Sequence, residues 1–352
     1  MATSNAARFL THDSTENDIA LAMFWGTVLE AFYAKTILWN SVGPEGVGGV
    51  AGPGSAVASK VVDAGSSWEF PIIGNDPTPE YHTPGVELLG QDIVMDKGSI
   101  TIDDILVAHY DVPLDQTQLS HFDVIAPFAR KLGRSLATDF DKKLIITGVK
   151  SAQTAAVTSV HNGGNMVERV AATAAAAWPT TATGAQNFRD DVAQLGQLLD
   201  EDSVPEEGRF LLITPYIRRV LGKDTTIFDA DLSAQRSNDL NRRVIGLIEG
   251  FDILPPTNHM PSTAIATGPS KYQIDATAAG AGEGQPIALA LCGAEEGSAG
   301  IGYVAGTGKA GPVYSHMHYD ERRNTTFLKS QMMVGAGVLS PWCAGTIHVD
   351  SA

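Results

Sequence analysis

SHFDVIAPFARKLGRSLATDFDKKLIITG, residues 120 to 148, is the stretch from which the rest of the chain is read. Phe122, Ile125, Ala129, Leu132, Leu136, Phe140 and Leu144 recur at spacings of three and four, the period of one apolar stripe on a long helix. At about 1.5 Å per residue such a helix extends roughly 40 Å. Ser120 and Asp123 are candidate N-caps, Pro127 fits the first turn or a kink, and Gly148 marks the expected end. Arg130, Lys131, Arg134, Lys142 and Lys143 fall mostly on its polar side.

Toward the N-terminus the pattern changes from helix to strand. In SWEFPII, 67 to 73, Trp68, Phe70 and Ile72 alternate with Glu69 and Pro71, and the proline predicts an edge strand. IVMDKGSITI, 93 to 102, keeps the period of two around a break at Gly98, and the two runs are expected to pair as a long hairpin. Between them NDPTPEYHTPGVELLGQ, 75 to 91, is far longer than a hairpin turn of about two to five residues, which marks it as functional or held by a partner. Before the hairpin, a plausible amphipathic helix carrying Ile19, Met23, Val28 and Phe32 gives way to GPEGVGGVAGPGS. That glycine-rich segment is too free to order itself, and an arm lying on a neighbour would supply the contacts it lacks.

Toward the C-terminus, AATAAAAWPTTATG (171 to 184) reads as low complexity, followed by a short helix near 189 to 199 with Val192, Leu195 and Leu199 on one face. RFLLIT, 209 to 214, reads as a strand, with Thr214 capping a helix that has Pro215 at its first position and stops at Gly222. GFDILPP (250 to 256) and PIALALC (286 to 292) read as buried strands, and SQMMVGAGVLSPWCAGTIHV closes the chain in apolar runs broken by glycine. The fold class is α+β with mixed sheets.

Composition narrows the function classes. With 43% hydrophobic and 18% charged residues, the 352-residue chain lies in the globular range. A net charge of −16 argues against sequence-reading of nucleic acid, which needs clustered Lys and Arg, and suits a container whose negative wall repels packed DNA. Cys292 and Cys343 are too few and too far apart for a disulfide scaffold or zinc site and are expected as buried thiols. No secretory leader and no apolar run of about 18 residues is read, so a soluble, cytosol-made chain is expected.

No motif supports catalysis or a cofactor. GVGGVA, 46 to 51, fits a loose dinucleotide pattern, but Gly52-Pro53-Gly54 stands where the phosphate-binding helix should start. In VAGTGKAG, ending at Gly311, Ala310 replaces the Ser or Thr that would hold magnesium. EEGSAGIG has Glu296 where a nucleophile elbow needs glycine before Ser298. His316 and His318 share a strand face without a third ligand at metal spacing, and the acidic doublets Asp103-Asp104, Glu206-Glu207 and Glu295-Glu296 read as solvated loops. No catalytic residue, cofactor or metal is therefore expected.

Arm, long hairpin, long helix, Gly/Pro-punctuated second domain and returning strands, taken in order, resemble the major capsid proteins of tailed bacteriophages over nearly the whole chain. The resemblance is nearest to the short-tailed podovirus group, through SSWEFPIIG, KGSITIDDILVAHYDV, GRFLLITP, the Gly250 to Ile253 strand and QMMVGAGVLSPWCAGTI. It implies the Johnson fold: an N-terminal arm at 1–64, an extended hairpin loop at 65–103, a peripheral domain with a spine helix at 104–208, an axial domain at 209–320, and a return to the peripheral domain at 321–352. It implies a non-enzymatic subunit that self-assembles as pentamers and hexamers into an icosahedral shell around double-stranded DNA, in the host bacterial cytoplasm. The implied partners are other copies of the chain, a scaffolding protein, a portal protein at one vertex, and DNA bound without sequence preference, with no membrane. Trp68, Phe70, Pro77, Tyr81, His82, Pro84, Arg130 and Arg134 are the expected inter-subunit contacts. An encapsulin-type nanocompartment shell is the alternative within the fold, and an enzyme of unknown chemistry the alternative outside it.

Overall fold

The first described element, helix α1 (Ser14–Lys35), buries Phe24, Val28, Ala31 and Phe32, one face of a 3.6-residue period. Met23, placed on that face from the sequence, is 71% exposed. The structure is a computed structural model and describes residues 14–38, 57–62, 65–74, 79–82, 85, 87, 90, 94–103, 105–113, 125–157, 161–171, 173–206, 208–224, 246–276, 284–293, 299–306, 313–320 and 322–350. Strand β1 (Val57–Val62) follows α1, so both described parts of the expected arm pack on their own chain; residues 39–56 lie outside the described residues.

Strands β2 (Ser67–Ile73) and β3 (Met95–Thr101) form the expected antiparallel hairpin, with Ser67 opposite Thr101 and Ile73 opposite Met95. The register runs unbroken through Gly98, where a break in the alternation was expected. Phe70 explains the glycine, since a Cβ there would stand 2.3 Å from its ring. After β4 (Leu106–Pro113) comes the long helix α2 (Ile125–Ala152), about 42 Å in length. It runs four residues past the expected end; the expected start, with the candidate caps Ser120 and Asp123, lies outside the described residues, and Pro127 is the third described residue of the helix. Gly148 does not end the helix, because it is a contact point: a Cβ there would press on Leu289 at 2.8 Å. Gly133 likewise admits α1, its missing Cβ falling 2.3 Å from the Val28 carbonyl oxygen.

The remaining elements are β5 (Asn165–Val170), α3 (Ala174–Ala177), α4 (Ala182–Glu201), β6 (Phe210–Ile213), α5 (Pro215–Leu221), β7 (Leu247–Ile248), β8 (Phe251–Ile253), β9 (Gln285–Leu291), β10 (Ile301–Gly306), β11 (Val313–Asp320), β12 (Thr325–Met332), β13 (Val334–Val338) and β14 (Ala344–Asp350). The stretch read as low complexity contains two caps and an anchor. Thr173 and Thr181 accept hydrogen bonds from the amides of Ala176 and Gly184, and the fully buried Trp178 donates its indole N–H to Asp191 at 2.7 Å. Thr214 precedes α5 in cap position but makes no side-chain cap bond; the helix starts on Pro215 alone.

Two hydrophobic cores organise these pieces. Around the first, α1 and α2 pack under one face of the antiparallel sheet β11–β12–β4, next to the mixed sheet β1–β10–β13. Around the second, α4 and α5 cover the mixed sheet β5–β14–β9–β6–β8–β7. That sheet is sandwiched: Leu212, Leu289 and Leu291 face the first core and α2, while Leu211, Ile213, Ala288 and Ala290 face the second. The expected cuts after residues 208 and 320 therefore do not follow the cores, since β5 from before the first cut and β14 from after the second join β6 and β9 in one sheet, and α4 packs against it. Backbone pairing overrides chain order there.

Candidate inter-subunit surface

The hairpin is fastened at its base and bare toward its tip. At the base, the Tyr272 hydroxyl donates to Asp103 at 2.7 Å and accepts the Ala336 amide at 2.9 Å. Lys271 pairs with Asp103 and donates to the Thr101 carbonyl at 2.9 Å. Burial, then the bond to Asp103, push the Tyr272 hydroxyl far above its usual range, which keeps it protonated and able to donate. β13 lies against β3 so closely that a Cβ on Gly335 would stand 1.9 Å from the Thr101 carbonyl oxygen. Closing glycines in VGAGV thus serve close approach of backbones.

Beyond that base β2 and β3 pair only with each other among the described residues, leaving two open strand edges. Of the expected contact residues, Trp68 rests on its own chain, against Gly302 and beneath the Lys60 ammonium at 5.6 Å, while the Phe70 ring lies tilted beside it, centroids 5.7 Å apart. Tyr81 is fully exposed and His82 exposed; Pro77 and Pro84 lie outside the described residues. Met95 and Val94 add apolar surface near the tip, and the exposed Lys97–Glu69 pair bridges the strands.

Arg130 and Arg134 are elsewhere, exposed on α2 along a groove shared with Thr27, Glu30, Ala34 and Lys35 of α1. Lys131 and Lys142 continue the same side, where a second groove passes Ser135, Thr138 and Asp139. Their spacing of three, four and eleven residues stacks them over three turns of helix. Lys143, read with them, is mostly covered and pairs with Asp139 at 3.5 Å.

The outer face of β11–β12–β4 carries a row the sequence did not reveal, His316–Lys329–His109, beside a second row, His318–Phe327–Asp111. His316 and His318 do share a face, with rings 6.4 Å apart, and no metal-holding group of three ligands occurs among the described residues. Only cross-strand register assembles such rows, so no linear spacing signals them. Cys292 and Cys343 are buried free thiols on neighbouring backbone, and burial pushes the Cys343 thiol up to about 12, an unreactive state. No described helix is long and apolar enough to cross a membrane.

A spine-like helix under a sheet, a protruding hairpin and a second sheet-centred core define the Johnson fold of tailed-phage capsid proteins. Solved structures agree in fold. The capsid of cyanophage P-SCSP1u matches with a TM-score of 0.68 at 24% identity, over 84% of this chain and 87% of that one. The mature capsid of bacteriophage PhiM1 matches at 0.66 and 17% identity, over 84% and 85%. A protein of Mycobacterium phage Che8 matches at 0.57 and 15%, over 81% and 85%. No curated protein is similar enough to count as a relative. Residues 69–348 match the family model of Gp10A-like major capsid proteins, and the chain belongs to that family. It is a phage capsid subunit, a structural protein of the virion shell.

Proposed function

We propose that copies of this chain assemble as pentamers and hexamers into an icosahedral shell enclosing a double-stranded DNA genome. The observation that carries the proposal is the hairpin, clamped at its base by Asp103, Lys271 and Tyr272 yet left with two open edges and an exposed Tyr81. Such edges are a liability in an isolated subunit and an asset when a neighbour covers them. In this reading Phe70, Pro77, Tyr81, His82 and Pro84 contact a neighbouring copy, and Trp68 fixes the direction in which the hairpin leaves the body. The unit around the first core is the peripheral domain, and the six-stranded sheet with α4 and α5 is the axial domain. Contacts of about 4 kcal/mol each, millimolar alone, sum to a durable particle while letting errors dissociate. A scaffolding protein guides assembly in the host cytoplasm and a portal protein occupies one vertex.

The test is size-exclusion chromatography with light scattering and negative-stain microscopy on the purified chain, with and without a co-expressed scaffolding protein. Closed shells or rings of five and six are expected. A monomer or dimer under both conditions refutes the proposal.

A further inference from the structure

The two-layer unit around the first core has two very different outer surfaces. Its sheet side shows Tyr314, His316, His318, Val107, His109, Phe327 and Lys329 with Asp111 and Asp320, the last paired with Arg323 at 3.8 Å, so its fixed charges are two cations against two carboxylates. Its helix side shows Arg130, Lys131, Arg134 and Lys142, flanked by Lys35, with Glu30 in the groove and Asp139 already engaged by Lys143. None of the four α2 cations forms an ion pair with another described residue. In a chain of net charge −16 that concentration is out of character, and it is laid along roughly 18 Å of one rigid helix.

Resting on the reading of the chain as a shell around DNA, we infer that the helix side of this unit faces the lumen and that Arg130, Lys131, Arg134 and Lys142 contact phosphates of the packaged duplex. A wall one subunit thick turns one side of each layered unit inward, and a duplex held there presents a dense row of anions, one per about 1.7 Å of its axis. Long, flexible Lys and Arg side chains on an exposed helix meet phosphates without reading bases, so the contact is independent of sequence. The expected negative inner wall is thereby refined: overall repulsion keeps the DNA mobile, and a basic stripe on each subunit gives it weak footholds. Arg130 and Arg134 then serve the cargo and not the contacts between copies.

The test uses the full chain and its quadruple variant Arg130→Gln, Lys131→Gln, Arg134→Gln, Lys142→Gln, whose changes are all at exposed helix positions and conserve helix propensity. Anisotropy of a labelled mixed-sequence duplex is measured on the unassembled chain across salt, and shell formation is followed separately by light scattering. Four phosphate contacts predict a log–log salt slope of about −3.6, hence a roughly 150-fold loss of affinity between 50 and 200 mM salt. The variant should lose this binding and still form shells, whereas Lys329→Gln on the sheet side should keep the slope. Unchanged duplex binding by the variant overturns the inference, as does loss of shells with binding retained, which would return these residues to contacts between copies. Tighter binding of polyglutamate than of the duplex also overturns it, in favour of an acidic protein partner. Failure of the wild type to form shells counts against the shell reading, whatever the duplex does.

Discussion

His348, in β14, has both ring nitrogens buried without a hydrogen-bond partner among the described residues. Burial lowers its pKa from the ordinary 6.5, opposed by the negative charge of Asp350. The fold therefore favours the neutral ring, so its contribution to stability is present above the unfolded value and is lost as pH falls through it. Denaturant midpoints of the unassembled subunit should decline from about pH 7 to about pH 5, and His348→Leu should flatten that decline. An equal slope in both would refute the assignment. Asp141 has the opposite sign. Burial raises its carboxyl, against hydrogen bonds from Thr36 at 2.6 Å and the Ile37 amide at 2.9 Å. Its contribution is present at low pH and lost as pH rises through the raised value, a component that Asp141→Asn should remove. Gly133 makes a third point. Gly133→Ala gains about 1 kcal/mol of helix propensity but drives a methyl into the Val28 carbonyl, which cannot rotate away. Overpacking of about 1–3 kcal/mol should win, and a stabilised variant in thermal unfolding would show that α1 can move off α2 cheaply.

Among the elements, the joint between β5 and α4 depends on one buried carboxylate. Asp191 accepts two bonds from Arg169, at 2.6 and 3.0 Å, and one from the Trp178 indole. Removing it leaves Arg169, 31% exposed, with the Asn187 carbonyl alone and orphans the buried Trp178 indole N–H, so Asp191→Ala should cost about 1.5–3 kcal/mol. Trp178→Phe, which removes one donor of three, should cost less. Equal losses would mean that packing of the indole, and not the polar network, holds the joint. The sequence showed α4 only from residue 189, because Thr181 sits inside an alanine-threonine run where a cap is indistinguishable from its neighbours. The α2 period was legible throughout, although its last turn continues past Gly148 for a reason, Leu289, that lies far along the chain.

At the scale of the whole molecule, no described residue of the loop 75–91 belongs to either core. β2 and β3 already meet at Ile73 and Met95, and the Gly74 amide donates to the Val94 carbonyl at 2.8 Å, so a short turn can close the hairpin. Deleting 75–91 should leave a cooperatively folded subunit that forms no shell. Wild-type-like particles from the deletion, seen by light scattering and microscopy, would remove this loop from the assembly contacts.

The chain's own periodicities determined α2, the hairpin, β6 with α5, and the buried strand β9, because each is specified by residues within a few turns or one strand length of one another. The order of those elements was enough to mark a capsid subunit. Tertiary structure alone decided that β14 and β5 enter the sheet of β6 and β9, that the hairpin base is clamped by Lys271 and Tyr272, and that the α2 cations lie along a groove with α1. Each of these joins residues roughly 50 to 180 positions apart, where register and close backbone approach set the neighbours and local spacing carries no trace of them.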